Sequence, residues 1–373
     1  MGTMERILRL MSEKKASDVY LSAHAPALIK INGQCLPINN QLLPADAPKA
    51  LLAEVLPPQR IEELEATGEL NMAHGIEGVG NFRISAMRQR GTYAAVIRYI
   101  TTEIPELSTL SVPLILGDLI MEKRGLLLMV GATGAGKSTT LASMMDFRNE
   151  KVSGHILTIE DPVEFLFRDK KSTISQREVG LDTSNFHEGL KHILRQDPDV
   201  IMIGEIRDAE TMGTALMAAD TGHMVFSTLH TIDATQTVNR IMSFFPPHQH
   251  EEVRFMLSST LQAVIGLRLV PRSDIEGRIP AAEVMLVTST IREYLLDPEK
   301  TSLIKTAIAD GVSTYGMQTF DQSLMRHYSE GRISLENALR YASNPTEFEL
   351  RIKGIHATSD ESWKSFEGKE EIV

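Results

Sequence analysis

Residues 125–140 read GLLLMVGATGAGKSTT, an apolar run that breaks into Gly131-x-x-x-x-Gly136-Lys137-Ser138. The glycines let successive backbone N–H groups curl around a phosphate chain, Lys137 is placed to reach the terminal phosphates, and the Ser138 hydroxyl is placed to ligate Mg2+. Such a loop needs a strand to deliver the chain and a helix to carry it away, its N-terminus aimed at the anion. Gly125 to Val130 has the length and apolarity of a buried strand, and TLASMMDF continues as a helix. The pattern therefore calls for an α/β layer here, with a nucleoside triphosphate in front of it. Thr133, Gly134, Ala135, Gly136, Lys137, Ser138 and Thr139 form the expected nucleotide-binding set.

At 373 residues the chain exceeds one ordinary core and suggests two domains, or three. Its 42% hydrophobic and 23% charged residues place it among soluble globular proteins rather than disordered ones. A single cysteine, Cys35, excludes an internal disulfide framework and a four-cysteine zinc site. No run of about 18 apolar residues occurs, and MGTMERILRLMSEKK lacks a signal-peptide core, so a cytoplasmic location is expected. A formal charge of −11 argues against a broad electrostatic footprint for nucleic acid, although an acidic protein can still hold a basic channel.

Before the phosphate loop the chain reads differently. An amphipathic ERILRLMSEK precedes SDVYLS and ALIKINGQCLPI, where Asn32-Gly33 between alternating apolar residues signals a hairpin. Pro44 to Thr67 reads as two short helices, and glycines at 78, 80 and 91 punctuate β-rich segments beyond. Residues 1–100 thus form an expected small α+β domain, and TTEIPELSTLSVP, with Pro105 and Pro113, reads as a connector over 101–113 that can change the angle between domains. From 114 to 345, HILTIE, NFHEGLKHILRQ, DVIMIGE, AETMGTALMAA and HMVFSTLH alternate between strand and helix, which implies a mainly parallel sheet covered by helices. Thr288 to Ala342 is mostly helical by pattern. A polar tail is expected from 346 to 373, its HATSDESWKSFEGKEEIV polar enough to be mobile.

A triphosphate site also needs an acid on the metal side and a group that orients water. DVIMIGEIRD sets Glu205 just past the apolar Val200 to Ile203, where a P-loop ATPase carries its second Mg2+-handling acid, with Gly204-Glu205 in place of the usual Asp. HILTIEDPVEF sets Glu160 and Asp161 at another strand end, with Glu164 close behind. Carboxylates at neighbouring strand ends can face one phosphate, one holding metal and the other polarising water. Asp161 and Glu164 also suit helix-capping or solvated roles. GHMVFSTLHT ends a third strand at His230, where a histidine can sense a γ-phosphate. A lone histidine is ordinarily a satisfied group, but His223 and His230 bracketing one strand shift the reading towards function. Arg240 follows on a helical stretch, DATQTVNRIMSFF, and with His223 joins the expected nucleotide-binding set. In NFRISAMRQRGTYAAVIRYI, alternation puts Arg83 and Arg98 on candidate sheet faces; an arginine supplied from outside the core stabilises a transferring phosphoryl group, although a surface arginine is usually just solvated.

Taken together, GATGAGKST, ILTIEDPVEF, DPDVIMIGEIRDAET and GHMVFSTLHTIDA stand in the order of the Walker A, Asp-box, Walker B and His-box elements of secretion-superfamily ATPases, which they resemble. With GNFRIS and YGMQTFDQSL at 315–324, the chain resembles the type IV pilus retraction ATPases of the PilT/PilU group over residues 5–345. The resemblance implies a PAS-like α+β N-terminal domain followed by a RecA-like P-loop ATPase domain, a homo-hexamer, and ATP sites between neighbouring subunits. It implies that Lys137 and Ser138 serve phosphate and Mg2+, that Glu160 is the Asp-box acid and Glu205 the Walker B acid, and that His223 and His230 are the His-box pair. Arg83 and Arg98 match arginines presented to a shared nucleotide site. Pilus retraction, a PilT-type retraction ATPase and an inner-membrane pilus platform protein as partners, and a place at the inner face of the inner membrane complete the expectation.

One departure narrows it. Where PilT-type members carry an A-I-R-rich segment, this chain reads TSTIREYLLDPEK, with only Ile291-Arg292 in common, and its ending is longer; both features resemble PilU, the accessory retraction ATPase. Two rival readings are a ring subunit that binds ATP but relies on a partner for work, and a nucleic-acid translocase. The charge and an aromatic content of 5%, which leaves little for base stacking, disfavour the second.

Overall fold

Period-two alternation dominates the first hundred residues and explains the first of two sheets. The computed structural model describes residues 2–31, 33–100 and 103–354. The chain divides into two compact units, Met1–Glu103 with Glu164–Leu166, and Ile104–Val163 with the chain from Phe167 onward.

In the first unit, strands β1 (Asp18–Ser22), β2 (Pro26–Ile31), β3 (Gln34–Leu42), β4 (Glu69–Ile76), β5 (Gly80–Gln89) and β6 (Thr92–Ile100) form an antiparallel sheet in the order β3-β2-β1-β6-β5-β4. Ile31 pairs with Gln34, so the chain reverses where the hairpin was expected; Asn32 itself lies outside the described residues. Alternation along β5 sends Phe82, Ile84 and Ala86 to a buried face. Helix Thr3–Glu13 supplies Met4, Ile7, Leu8 and Met11, at i, i+3, i+4 and i+7, to the same core. Burying each such side chain contributes about 1.5–3 kcal/mol. Helices Ala47–Ala53 and Pro58–Thr67 add Leu51, Leu52 and Leu64, as the two-helix reading expects.

The opposite face of this sheet carries charge. Arg83 on β5 lies directly across from Arg98 on β6, which pairs with Asp18 on β1, which pairs with Lys30 on β2. Arg98 Nε donates to Asp18 Oδ1 at 2.9 Å, Ser17 Oγ donates to Asp18 Oδ2 at 2.9 Å, and Lys30 Nζ lies 3.9 Å from the same carboxylate. Two arginines opposite one another repel. The buried Asp18 offsets that repulsion on one side and fixes the direction of Arg98.

The second unit is built on strands β7 (Gly125–Val130), β8 (His155–Glu160), β9 (Thr173–Glu178), β10 (Val200–Ile203), β11 (Met224–Leu229), β12 (Leu261–Pro271) and β13 (Arg278–Leu286), in the order β13-β12-β7-β11-β10-β8-β9. Every adjacent pair is parallel except β12 with β13. The central strands are buried along their whole length, because helices cover both faces. Leu126, Leu128, Ile201 and Val225 meet the helices Phe186–Ile193, Ala209–Asp220 and Ala234–Phe244. Leu127, Met129, Met202 and Phe226 meet the helix Lys137–Lys151. Two sheets, one PAS-like and one RecA-like, match the fold that the sequence resemblance implied.

The polar tail expected from 346 needs correction at its start, since Pro345–Ile352 is a helix. The Asn344 side chain accepts from Glu347 N–H, Pro345 opens the first turn, and Phe348 is buried with Val270, Ile279 and Leu324. One buried aromatic anchors a segment whose composition alone reads as solvated. The stretch HATSDESWKSFEGKEEIV lies outside the described residues, as does the mobility expected of it.

Candidate active site

The phosphate loop leaves β7 at Gly131, whose φ of 147° only glycine adopts readily; a Cβ there would lie 2.6 Å from Leu267 O on the neighbouring β12. Gly136, at φ 92°, turns the chain into the helix Lys137–Lys151. The first backbone N–H groups of that helix point out of its N-terminus, where an anion is favoured. Lys137 Nζ donates to Gly131 O at 2.7 Å and Ala132 O at 3.1 Å, so its ammonium sits within the curl of the loop. Ser138 and Thr139 occupy the first turn, Thr133 and Gly134 are exposed at the loop's tip, and Ala135 is buried.

Beside this loop, the strand order places three further strand ends in a row: β11, then β10, then β8. Their carboxyl ends are held level by short ties. Gly204 N–H donates to Ile159 O at 2.7 Å, Thr228 Oγ1 to Gly204 O at 2.7 Å, and Ile206 N–H to Thr228 O at 3.1 Å. A Cβ on Gly204 would lie 3.3 Å from the Glu160 Cα, a tight contact that the β8 end would have to relieve by a few tenths of an ångström.

The three strands deliver His230, Glu205 and Glu160 to one edge. His230 Nε2 lies 3.2 Å from Glu205 Oε2. Arg207 makes a close ion pair with Glu205 through its Oε1, and its guanidinium also lies 3.9 Å from Asp161. Burial pushes the Glu205 carboxyl up, but the hydrogen bond and charge of Arg207, with a smaller contribution from His230, outweigh it and hold the group below the usual carboxylate range. Arg207 is correspondingly raised, chiefly by that hydrogen bond. Glu160 is only 6% exposed, and its Oε1 accepts from Thr158 Oγ1 at 2.7 Å and Gln176 Nε2 at 3.0 Å.

Not every expected residue comes to this edge. His223 sits at the opposite end of β11, where its Nδ1 lies 2.9 Å from Ala218 O, so within one chain it faces away from the phosphate loop. Residues that bracket a six-residue strand stand roughly 20 Å apart. Arg240 is exposed on helix Ala234–Phe244 and stacks on Phe244, 4.8 Å from its ring centroid, away from the helix end that follows His230. Arg83 and Arg98 belong to the first unit, on the charged face described above. Conversely, Arg207 was missed. Its signal was the i+2 spacing from Glu205, which lets one side chain reach both strand-end acids.

Comparison with known proteins gives a consistent picture. A family model described as type II/IV secretion system protein matches residues 66–344. The chain is 41% identical to the type IV pilus ATPase PilU of Pseudomonas aeruginosa, over 94% of this chain and 91% of that one. It is 40% identical to the type IV pilus retraction ATPase PilT of the same organism, over 92% of this chain and 98% of that one. Among solved structures, the pilus retraction motor PilT with bound ADP superposes with a TM-score of 0.86 at 40% identity, covering 94% of this chain and 99% of that one. The Legionella pneumophila ATPase DotB follows the same fold at 28% identity with a TM-score of 0.76, over 94% of this chain and 95% of that one.

Proposed function

Because the chain belongs to the type II/IV secretion system protein family, we propose that it is an ATP-hydrolysing motor of type IV pilus retraction. The observation that carries this reading is the convergence of the phosphate loop, His230, Glu205 and Glu160 at the carboxyl edge of one sheet, on strands adjacent in the order β7-β11-β10-β8. Two relatives named as pilus ATPases and one named as a retraction motor with bound ADP share this chain nearly end to end.

In this reading the loop from Thr133 to Gly136 and the ammonium of Lys137 hold the phosphates of ATP. The Ser138 hydroxyl and the Glu205 carboxylate are hard oxygen donors beside that loop, a set that fits Mg2+ together with phosphate oxygens and water. Bound there, Mg2+ would neutralise charge developing on the phosphate oxygens. Glu160 polarises the attacking water, His230 reports the γ-phosphate to Glu205 through their contact, and Arg83 and Arg98 stabilise charge on a neighbouring subunit's nucleotide within a homo-hexamer. Among the described residues no helix is long and apolar enough to cross a membrane. The motor works from the cytoplasm against an inner-membrane pilus platform protein.

The identities to PilU and PilT, 41% and 40%, are too close to choose between them. The segment TSTIREYLLDPEK, which lacks the A-I-R-rich wording and forms the helix Ser289–Leu296 with the turn that follows, supports the accessory role. The test is retraction force in cells that lack a PilT-type partner and express this chain. Weak or absent retraction that returns with the partner supports the accessory role, and full retraction without it overturns that role.

A further inference from the structure

We propose that Gln176 is a positioning residue for ATP hydrolysis, holding the Glu160 carboxylate in the direction in which it meets water. The inference rests on the reading of Glu160 as the water-side acid. Its physical basis lies in the register of the two outermost parallel strands. Thr158 on β8 pairs with Gln176 on β9, so both side chains emerge on one face, and Glu160, two residues beyond Thr158, emerges on that face too. Gln176 Nε2 and Thr158 Oγ1 then converge on a single carboxylate oxygen, Glu160 Oε1, at 3.0 and 2.7 Å. Two donors on one oxygen, one from each strand, restrain the direction of the carboxylate.

The amide of Gln176 is itself oriented. Phe167 N–H donates to Gln176 Oε1 at 2.9 Å, and a backbone N–H can only donate. The amide oxygen must therefore face Phe167, which leaves the NH2 group facing Glu160 and removes the usual ambiguity between the two ends of a glutamine. Glu160 is buried, so water cannot easily replace a lost donor. Gln176 is thus a bridge from the loop following Glu160 back to Glu160 itself.

A plain structural tie between strand and loop needs no donor on Glu160, and one substitution separates the two roles. Gln176→Glu keeps an oxygen to accept from Phe167 N–H but sets a second carboxyl against buried Glu160, so the two share a proton and Glu160 is no longer a free base. Gln176→Ala removes both bonds. Measured on the full chain with Mg2+-ATP, both variants are expected to lose roughly tenfold in kcat, the worth of one hydrogen bond to a charged group, with KM for ATP changed less than about twofold. In a Glu160→Gln background, where the carboxylate is gone, Gln176→Ala is expected to lower single-turnover hydrolysis no further. Wild-type kcat for Gln176→Glu, the same loss for Gln176→Ala in both backgrounds, or a loss confined to ATP affinity would each overturn the proposal. Unchanged turnover in Glu160→Gln alone would instead remove the reading of Glu160, which separates that failure from this one.

Discussion

His230 Nε2 lies 3.2 Å from Glu205 Oε2, a contact that joins the carboxyl ends of two neighbouring parallel strands. Arg207 engages the other oxygen of the same carboxylate. Glu205 is consequently held below the usual carboxylate range and restrained from both sides. Asp161, 3.9 Å from Arg207, extends the charged cluster to the end of β8.

The two acids should separate by experiment. Glu205→Gln and Glu160→Gln are each expected to lower ATP turnover by roughly a hundredfold, the scale of losing one preorganised catalytic group, while ATP binding by calorimetry stays within a few-fold of wild type. Loss of ATP binding in both variants, or unchanged turnover in either, contradicts the assignment.

The charged face of the first sheet makes a prediction about neighbours. If Arg98 acts on an adjacent subunit's nucleotide, rings mixed from Arg98→Ala and Lys137→Ala chains regain part of the activity that each variant lacks, because some interfaces then combine an intact loop with an intact arginine. Inactivity at every mixing ratio, in rings verified as mixed, removes the shared site.

Glu283 supplies a pH dependence of stability. Fully buried on β13, it accepts from Ala234 N–H at 2.7 Å, and burial pushes its carboxyl up to about 7 against that hydrogen bond. Asp233 adds to the rise, whereas Arg268 and Lys305 oppose it. An acid raised in the folded state contributes stability that is fully present below its unfolded value and is lost as pH rises through the folded value. Between pH 5 and 8, wild type should therefore lose on the order of 3 kcal/mol relative to Glu283→Gln, whose amide does not titrate. Denaturant titrations of the two chains at several pH values check this, and parallel curves across the range contradict it.

Legibility followed the length of the interaction. The phosphate loop, Glu160, Glu205 and His230 each stand at the end of an apolar run, so strand periodicity and local spacing place them without knowledge of the sheet order. Gln176 could not be placed that way. Its partner is 16 residues away, and only the β8–β9 register brings them together. β9 itself, TISQRE, lacks clean alternation because it is an edge strand with mixed surroundings. β12 was unread for the opposite reason, since a buried apolar run such as LQAVIGLRL does not distinguish strand from helix by period. Within one chain His223 lies at the far end of β11 from the phosphate loop, because residues that bracket a strand stand at its two ends. Arg207 shows its second partner, Asp161, only once two strand ends are set side by side, although its i+2 spacing from Glu205 was local.

The central claim is that this chain hydrolyses ATP itself, and does not merely bind it as a ring subunit serving a partner. Its most direct test is steady-state phosphate release by the purified chain with Mg2+-ATP, compared with Lys137→Ala. Lys137 is the one cation in GATGAGKS, and losing it at the developing charge costs about 3 kcal/mol or more, so wild type should turn over and the variant should fall by at least roughly a hundredfold. No turnover by the wild-type chain, or equal turnover by the two, would contradict the account.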